Sequence, residues 1–268
     1  MLWLPKLFGI RVIATIHGLD WQRAKWGKFA SKMILYGEKV AAKYADEIIV
    51  LSKNVQEYFL KEYGRETNYI PNGISKPTYL KPEKIKEKYG LQGNDYILTL
   101  CRIVPEKGLH YLLEAFRQID TDKKLVIAGG FSNAVEYMEL IRELAAQDKR
   151  VILTDFVHDE ILAELCSNCY VYCLPSDVEG MSVSLLEAMS YGRCCLVSDI
   201  QENIEVVEDK AENFIRGDVR NLKEKLEFLL ENPEKKQEYE AQAEEFICKK
   251  YNWDRMVKDT IKLYKKTR

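Results

Sequence analysis

"YVYCLPSDVEGMSVSLLEAMSYGRCCLVSD", residues 170–199, holds a strand, a loop, a helix and a second strand in close succession. "YVYCLP" (170–175) and "CCLVSD" (194–199) are short apolar runs bounded by turn residues. The intervening "VSLLEAMSYG" has apolar residues at helical spacing. Two strand-like runs joined through a helix form a parallel crossover. The same alternation runs along the chain. Further strand candidates are "RVIATIH" (11–17), "EIIVLS" (47–52), "YILTLC" (96–101), "KLVIAG" (124–129) and "VILTDF" (151–156). "LHYLLEAFRQI" and "VEYMELIRELAAQ" repeat apolar positions every three or four residues, as amphipathic helices do. The pattern predicts an α/β fold of doubly wound parallel sheets, with ligands outside the carboxyl ends of the strands.

Composition bounds the rest. The chain has 268 residues, 47% hydrophobic and 31% charged, enough for one large cored domain or two modest ones. A net charge of −2 gives no support for a nucleic-acid partner. Residues 1–77 hold 12 Lys/Arg against 7 Asp/Glu, and the remainder 28 against 35. A basic first part suits an anionic ligand or an anionic membrane face. In "KFASKMILYGEKVAAKYA", Lys28, Lys32, Lys39 and Lys43 follow an amphipathic segment. That is consistent with peripheral membrane association and equally with an ordinary solvated helix face. The seven cysteines lie mostly in apolar, strand-like runs and read as reduced packing thiols. Cys166-x-x-Cys169 and the adjacent Cys194 and Cys195 leave zinc or redox chemistry as the alternative. "MLWLPKLFGI" has a lysine inside its apolar run and does not read as a signal peptide, and no run approaches a membrane span. The expected location is the cytoplasm, extending to the inner face of the membrane.

"PNGISKPTYLKPEK", with three prolines and a glycine, marks a boundary near 77–82. Residues 1–77 read as a partial amino-terminal domain, too short for a whole doubly wound unit. Residues 78–250 read as a complete nucleotide-binding domain, and 251–268 as a last helix with no strand of its own to serve.

The loop of the opening stretch carries the chemistry. Asp177 to Ser182 connect strand to helix. Gly180 is expected to supply a backbone conformation that other residues resist, and Ser182 is a good helix N-cap. Glu179 lies in the loop, and Glu187 about five residues into the helix, roughly 7 Å along its axis. Exposed amides at a helix start favour a phosphate. Carboxylates accept paired hydrogen bonds from sugar diols. A ribose at Glu187, a diphosphate at the helix start and a second sugar at Glu179 describe a nucleotide sugar.

These residues resemble the E-x7-E motif of retaining glycosyltransferases of the GT-B fold, glycosyltransferase family 4. "LTLCRIVPEKGLHYLLEAF" is similar to that family's G-R-x-x-x-E-K-G segment, with Cys101 where a glycine is usual. "VIATIHGLDWQRAKWGKFASKMILYGEKVAAKYADEIIVLS" resembles the acceptor-side domain of bacterial capsule and exopolysaccharide enzymes. "YIPNGI" resembles the interdomain segment, and "YNWDRMVKDTIKLY" the last helix, which crosses back to the first domain. The resemblance implies two Rossmann-like domains, the first lacking its amino-terminal part. Arg102 and Lys107 would stabilise the leaving diphosphate, Glu179 would contact the donor sugar, and His17 would lie near sugar and phosphate. Asn72, Gly73, Phe156, Val157, Gly180, Met181, Ser182 and Glu187 would complete donor binding, with Phe156 and Val157 flanking the base. No metal or other cofactor is expected, since two cations face the diphosphate. The implied partners are a nucleotide sugar and a glycan or lipid-linked acceptor, with no nucleic acid. Asp20, Arg23, Lys25 and Trp26 are candidates for an acceptor pocket, and a solvated loop is the competing reading. His110 and His158 read as structural or exposed, and Trp253 as a packing anchor. An alternative to catalysis is a chain that binds a nucleotide sugar and needs a partner to complete the first domain. A related nucleotide-sugar epimerase is a further reading, though it would want different catalytic acids.

Overall fold

The computed structural model describes residues 2–22, 27–130 and 134–266. The chain divides into two compact units. The first comprises Met1–Gly73, Val178–Met181 and Tyr251–Arg268, and the second Ile74–Asp177 and Ser182–Lys250. The division falls after Gly73, and the last helix groups with the first unit.

The first unit is built on a parallel sheet of three strands in the order β1 (Ile13–Ile16), β2 (Glu47–Val50), β3 (Asn68–Tyr69). Helix α1 (Trp3–Leu7) precedes β1, α2 (Lys28–Tyr44) links β1 to β2, and α3 (Lys53–Tyr63) links β2 to β3. Ala42, Ala45, Ile48, Val50, Val55 and Phe59 form its buried core. Ser52 caps α3 by accepting from the Val55 amide at 3.3 Å, and Gly64 ends the helix in the left-handed region. The last helix of the chain, Trp253–Lys265, is held at its carboxyl end by Arg11. The Arg11 guanidinium donates to the carbonyls of Leu263 at 2.8 Å and Tyr264 at 3.1 Å, and pairs with Glu47 at 3.3 Å. A cation there satisfies orphan carbonyls and the negative end of the helix dipole.

Among the described residues the second unit carries six parallel strands. They are β4 (Tyr96–Leu100), β5 (Lys124–Ala128), β6 (Val151–Leu153), β7 (Val171–Leu174), β8 (Cys195–Ser198) and β9 (Glu212–Phe214). Their order is β6-β5-β4-β7-β8-β9. Counted within the unit this is 3-2-1-4-5-6, the dinucleotide-fold order, and its direction reverses between β4 and β7. The central strands β4, β5, β7 and β8 are buried on both faces, which explains their continuous apolar runs. Two turns meet at that reversal, one after β4 and one after β7. Gly108 has φ +63°, and a β-carbon there would lie 2.0 Å from the Pro175 carbonyl oxygen. The Asp177 amide donates to the Glu106 carbonyl at 2.9 Å. The turn after β4 is thereby fastened to the end of β7.

The alternation of the sequence reappears, with corrections at the margins. "VILTDF" yields only Val151–Leu153 as strand, and the backbone at Asp155 takes φ +57°, which no strand sustains. β3 and β9 were not among the strand candidates, because "NY" and "ENF" are too short to show a period.

Arg11→Ala is expected to cost about 2 kcal/mol, the scale of lost hydrogen bonds from a charged donor. Denaturant unfolding measures the loss, and hydrogen exchange should show Trp253–Lys265 opening first. Gly108→Ala should cost more than about 2 kcal/mol, since left-handed backbone alone penalises a β-carbon by roughly 1–2 kcal/mol and Pro175 blocks the space. A variant as stable as the parent would contradict the fastening.

Candidate functional site

Six of the expected site residues fall in the second unit. Arg102 follows β4 and is exposed, and Lys107 ends the short 3-10 turn Pro105–Lys107. Next to β4 in the sheet, β7 runs through the Asp177 loop into helix α8 (Val183–Ser190). The Ser182 hydroxyl accepts from the Leu185 amide at 3.4 Å and so caps that helix. Ser184 contacts Ser182 at 3.1 Å and accepts from the Tyr172 hydroxyl at 2.8 Å, which ties the helix start to β7. Both motifs of the sequence therefore lie at the carboxyl edge of adjacent strands, where the sheet order reverses. Helix amides and the two cations share that edge.

Glu187 is half-buried in α8, and burial pushes its carboxyl above the usual carboxylate range. Phe156 and Val157 follow β6, two strand positions from β4. Phe156 is 73% exposed, and its ring lies against Gly130, just past β5. The Val157 side chain is buried and packs.

The other six candidates fall in the first unit. His17 is exposed immediately after β1. His17, Asn72 and Gly73 line one cavity of about 260 Å³, together with Thr15, Met256 and Trp253. The Asn72 amide donates to the Met181 sulfur at 3.2 Å. Glu179 is buried. Gly180 requires a correction. Its backbone lies outside the left-handed region, so conformational freedom is not its use. A β-carbon there would lie 1.6 Å from the His17 carbonyl oxygen, and close approach is what demands glycine. Gly73 meets a similar limit, with its β-carbon position 2.7 Å from the Trp253 α-carbon, so Trp253 packs here by its backbone.

The residues around Asp177 carry no site role in the sequence reading. Burial raises the Asp177 carboxyl pKa, against the pull of Arg216, His110 and a hydrogen bond from Tyr111. His110 is half-buried, its Nδ1 is 2.9 Å from the Tyr137 hydroxyl, and burial lowers its pKa while Asp177 and Glu114 raise it. Ser198 donates to the Ser176 carbonyl, and Asn203 donates to the Ser198 hydroxyl at 3.0 Å, holding the loop base to β8. The position of Asp177 inside the opening stretch was the available signal. Its partners are scattered through the sequence and gave none.

His158 is exposed, with its Nδ1 2.5 Å from Asp159. Cys166, Cys169, Cys173, Cys194 and Cys195 are buried free thiols, and burial pushes each pKa up, to about 12 at Cys169. Protonated, inaccessible thiols pack and do not react. Among the described residues no group of three His, Cys, Asp or Glu is placed to hold a metal ion, and no helix is long and apolar enough to cross a membrane. Asp20 sits in a short 3-10 turn, Asp20–Gln22. Arg23, Lys25 and Trp26 lie outside the described residues.

Two family models match separate stretches of the chain. Residues 81–246 match the family model of glycosyl transferases group 1, and residues 6–75 match a domain of unknown function (DUF1972). An uncharacterized glycosyltransferase of Bacillus subtilis is 30% identical over 200 residues, 73% of this chain and 54% of that protein. A capsular polysaccharide biosynthesis glycosyltransferase of Staphylococcus aureus is 28% identical over 81% of this chain and 60% of its own length. The chain thus spans less than two thirds of these relatives. The Anabaena HepE crystal structure with UDP and glucose superposes with a TM-score of 0.87 at 18% identity, covering 98% of this chain and 74% of that one. That likeness establishes the GT-B fold. With the family model spanning residues 81–246, the chain belongs to the group 1 glycosyl transferases.

Proposed function

We propose that the chain takes part in transfer of a sugar from a nucleotide-diphosphate sugar to a glycan or lipid-linked acceptor, with retention of configuration, in cell-surface polysaccharide synthesis. The observation that carries the proposal is the shared edge of β4 and β7. Arg102 and Lys107 follow β4 and α8 follows the loop after β7, both at the reversal of strand order, which supports that reading.

Departure of the nucleoside diphosphate builds negative charge on its oxygens. Arg102 and Lys107 would meet that charge directly, and the α8 amides beyond Ser182 would add the positive end of a helix dipole. With two cations and a helix start assigned to the diphosphate, the reading needs no metal. Glu187 would accept the ribose hydroxyls, and Glu179 those of the donor sugar. Phe156 would stack on the base edge. In the first unit, His17, Asn72, Gly73, Gly180 and Met181 would face sugar and acceptor. Retention would follow from attack of the acceptor hydroxyl on the face the diphosphate leaves. The assignment to family 4 rests on the E-x7-E pair and the R-x3-E-K-G segment. Similarity to the S. aureus capsule enzyme supports a role in polysaccharide synthesis.

Calorimetry with a panel of nucleotides and nucleotide sugars, without added metal, tests the donor site. Diphosphate-dependent binding should fall at least about a hundredfold in an Arg102→Ala, Lys107→Ala double variant, since two charge-assisted contacts are lost. Equal affinity in the folded variant would remove both residues from the site. Glu187→Gln separates stability from binding. A carboxylate whose folded pKa is raised loses stability as pH rises from the ordinary carboxylate range through the raised value. Glu187→Gln should therefore raise Tm at neutral pH, with the gain vanishing below the ordinary carboxylate range. Its ribonucleotide affinity should fall, while that for the matching 2′,3′-dideoxynucleotide stays near the parent's.

A further inference from the structure

Tyr111 belongs to the first turn of helix α5 (Leu109–Arg117), which follows the Lys107 turn directly. Its side chain reaches turns that follow three different strands of the second unit. At one edge of the ring, Cδ2 is 3.0 Å from where a β-carbon on Gly108 would stand. At the far end, Cζ and the hydroxyl oxygen are each 3.7 Å from the corresponding position on Gly217, in the turn after β9. The hydroxyl donates to the carboxylate of Asp177, in the loop after β7.

Backbone contacts continue this line on both sides. The Asp177 amide donates to the Glu106 carbonyl at 2.9 Å, one residue before Lys107. The Arg216 amide, one residue before Gly217, donates to the Asp199 carboxylate at 2.8 Å, just past β8. Strands β4, β7, β8 and β9 neighbour one another in that order. One chain of contacts therefore crosses the carboxyl edge of the sheet, from the Lys107 turn to the β9 turn, with Tyr111 spanning it. His110 backs the ring, their centroids 3.8 Å apart, and is held in turn by the Tyr137 hydroxyl, 2.9 Å from its Nδ1.

Two features separate this arrangement from plain packing. The ring alone would fill the space over Gly108, yet it is the hydroxyl that reaches Asp177. Asp177 itself is a half-buried acid at an edge assigned to an anion. Such an acid loses hydration and repels a diphosphate. Here its charge is answered by the Tyr111 hydroxyl, Arg216 and His110. What remains is a fixed acceptor between the β7 loop and the start of α5.

We infer that Tyr111 and Asp177 are positioning residues for Lys107. Their hydroxyl–carboxylate bond holds the first turn of α5, and with it the Lys107 backbone, against the end of β7. Neither is assigned a contact with the ligand; they act through where Lys107 stands. The inference rests on the donor reading above and adds to it two residues that the sequence reading left without a role.

Calorimetry of the full chain with UDP, GDP and ADP tests it, well below each variant's Tm and with the fold checked by circular dichroism. Tyr111→Phe keeps the ring over Gly108 and removes only the hydroxyl. It should weaken the diphosphate that the parent binds best on the order of tenfold, within the range for residues that touch no ligand. Asp177→Ala should match that loss, and the two together should be no weaker than either alone, because the same bond is removed. Asp177→Asn leaves a neutral acceptor for the hydroxyl and should recover most of the affinity. Should Asp177→Ala fail to fold, the loss in Tyr111→Phe and the recovery in Asp177→Asn still decide. Tighter binding by Asp177→Asn would make Asp177 merely a repelling charge and overturn the inference. Losses by Tyr111→Phe and Asp177→Ala that simply add would overturn it too, as would parental affinity in folded Tyr111→Phe. The Arg102→Ala, Lys107→Ala double variant is the control for the donor reading. If it loses the diphosphate while Tyr111→Phe does not, this inference fails alone. If it binds as the parent does, or the parent binds no diphosphate, the donor reading fails and this inference with it.

Discussion

The fastening of the β4 turn to the end of β7 is the constraint on which the second unit depends. Gly108 lets the backbone turn left-handed directly over the Pro175 carbonyl, and the Asp177 amide closes the joint on Glu106. Neither contact involves a charged side chain, yet together they set where Lys107 stands relative to the start of α8. A cation on a flexible stem acts at a defined place only when its backbone is fixed. Here the fixing is done by close packing of main chain, which tolerates no side chain at the contact. The base of the neighbouring loop is secured from the other direction, by Ser198 and Asn203.

The first unit uses a related device for a different end. Gly180 gives its side-chain space to the His17 carbonyl, and Gly73 gives its space to the Trp253 backbone. Arg11 then binds the last helix by its carboxyl end. Segments distant in sequence are thus joined through main-chain contact and one guanidinium, with the expected residues His17, Asn72, Gly73 and Met181 gathered around them. Glu38 shows the opposite economy. Two tyrosine hydroxyls satisfy it inside the unit, and the outer side of α2 is left wholly basic and apolar.

Much of this was legible in the residues. Fully buried parallel strands must be apolar throughout, so β4, β5, β7 and β8 announce themselves. Ser182 and Glu187 can be read from helix capping and spacing, whereas Arg102 and Lys107 are singled out by resemblance to a family segment. Strands of two or three residues, such as β3 and β9, give no period to read. The role of Gly180 was misread because the partner that excludes a side chain, the His17 carbonyl, lies far away in sequence. Asp177 meets His110 and Tyr111 of a helix far from it in sequence, and no spacing rule could assemble that cluster.

A crystal structure of the chain grown with a nucleoside diphosphate would test the central claim most directly. The account predicts the diphosphate within hydrogen-bond reach of Arg102, Lys107 and the first amides of α8, with the ribose hydroxyls on Glu187. A diphosphate bound elsewhere on the chain, with Arg102 and Lys107 facing solvent, would contradict it.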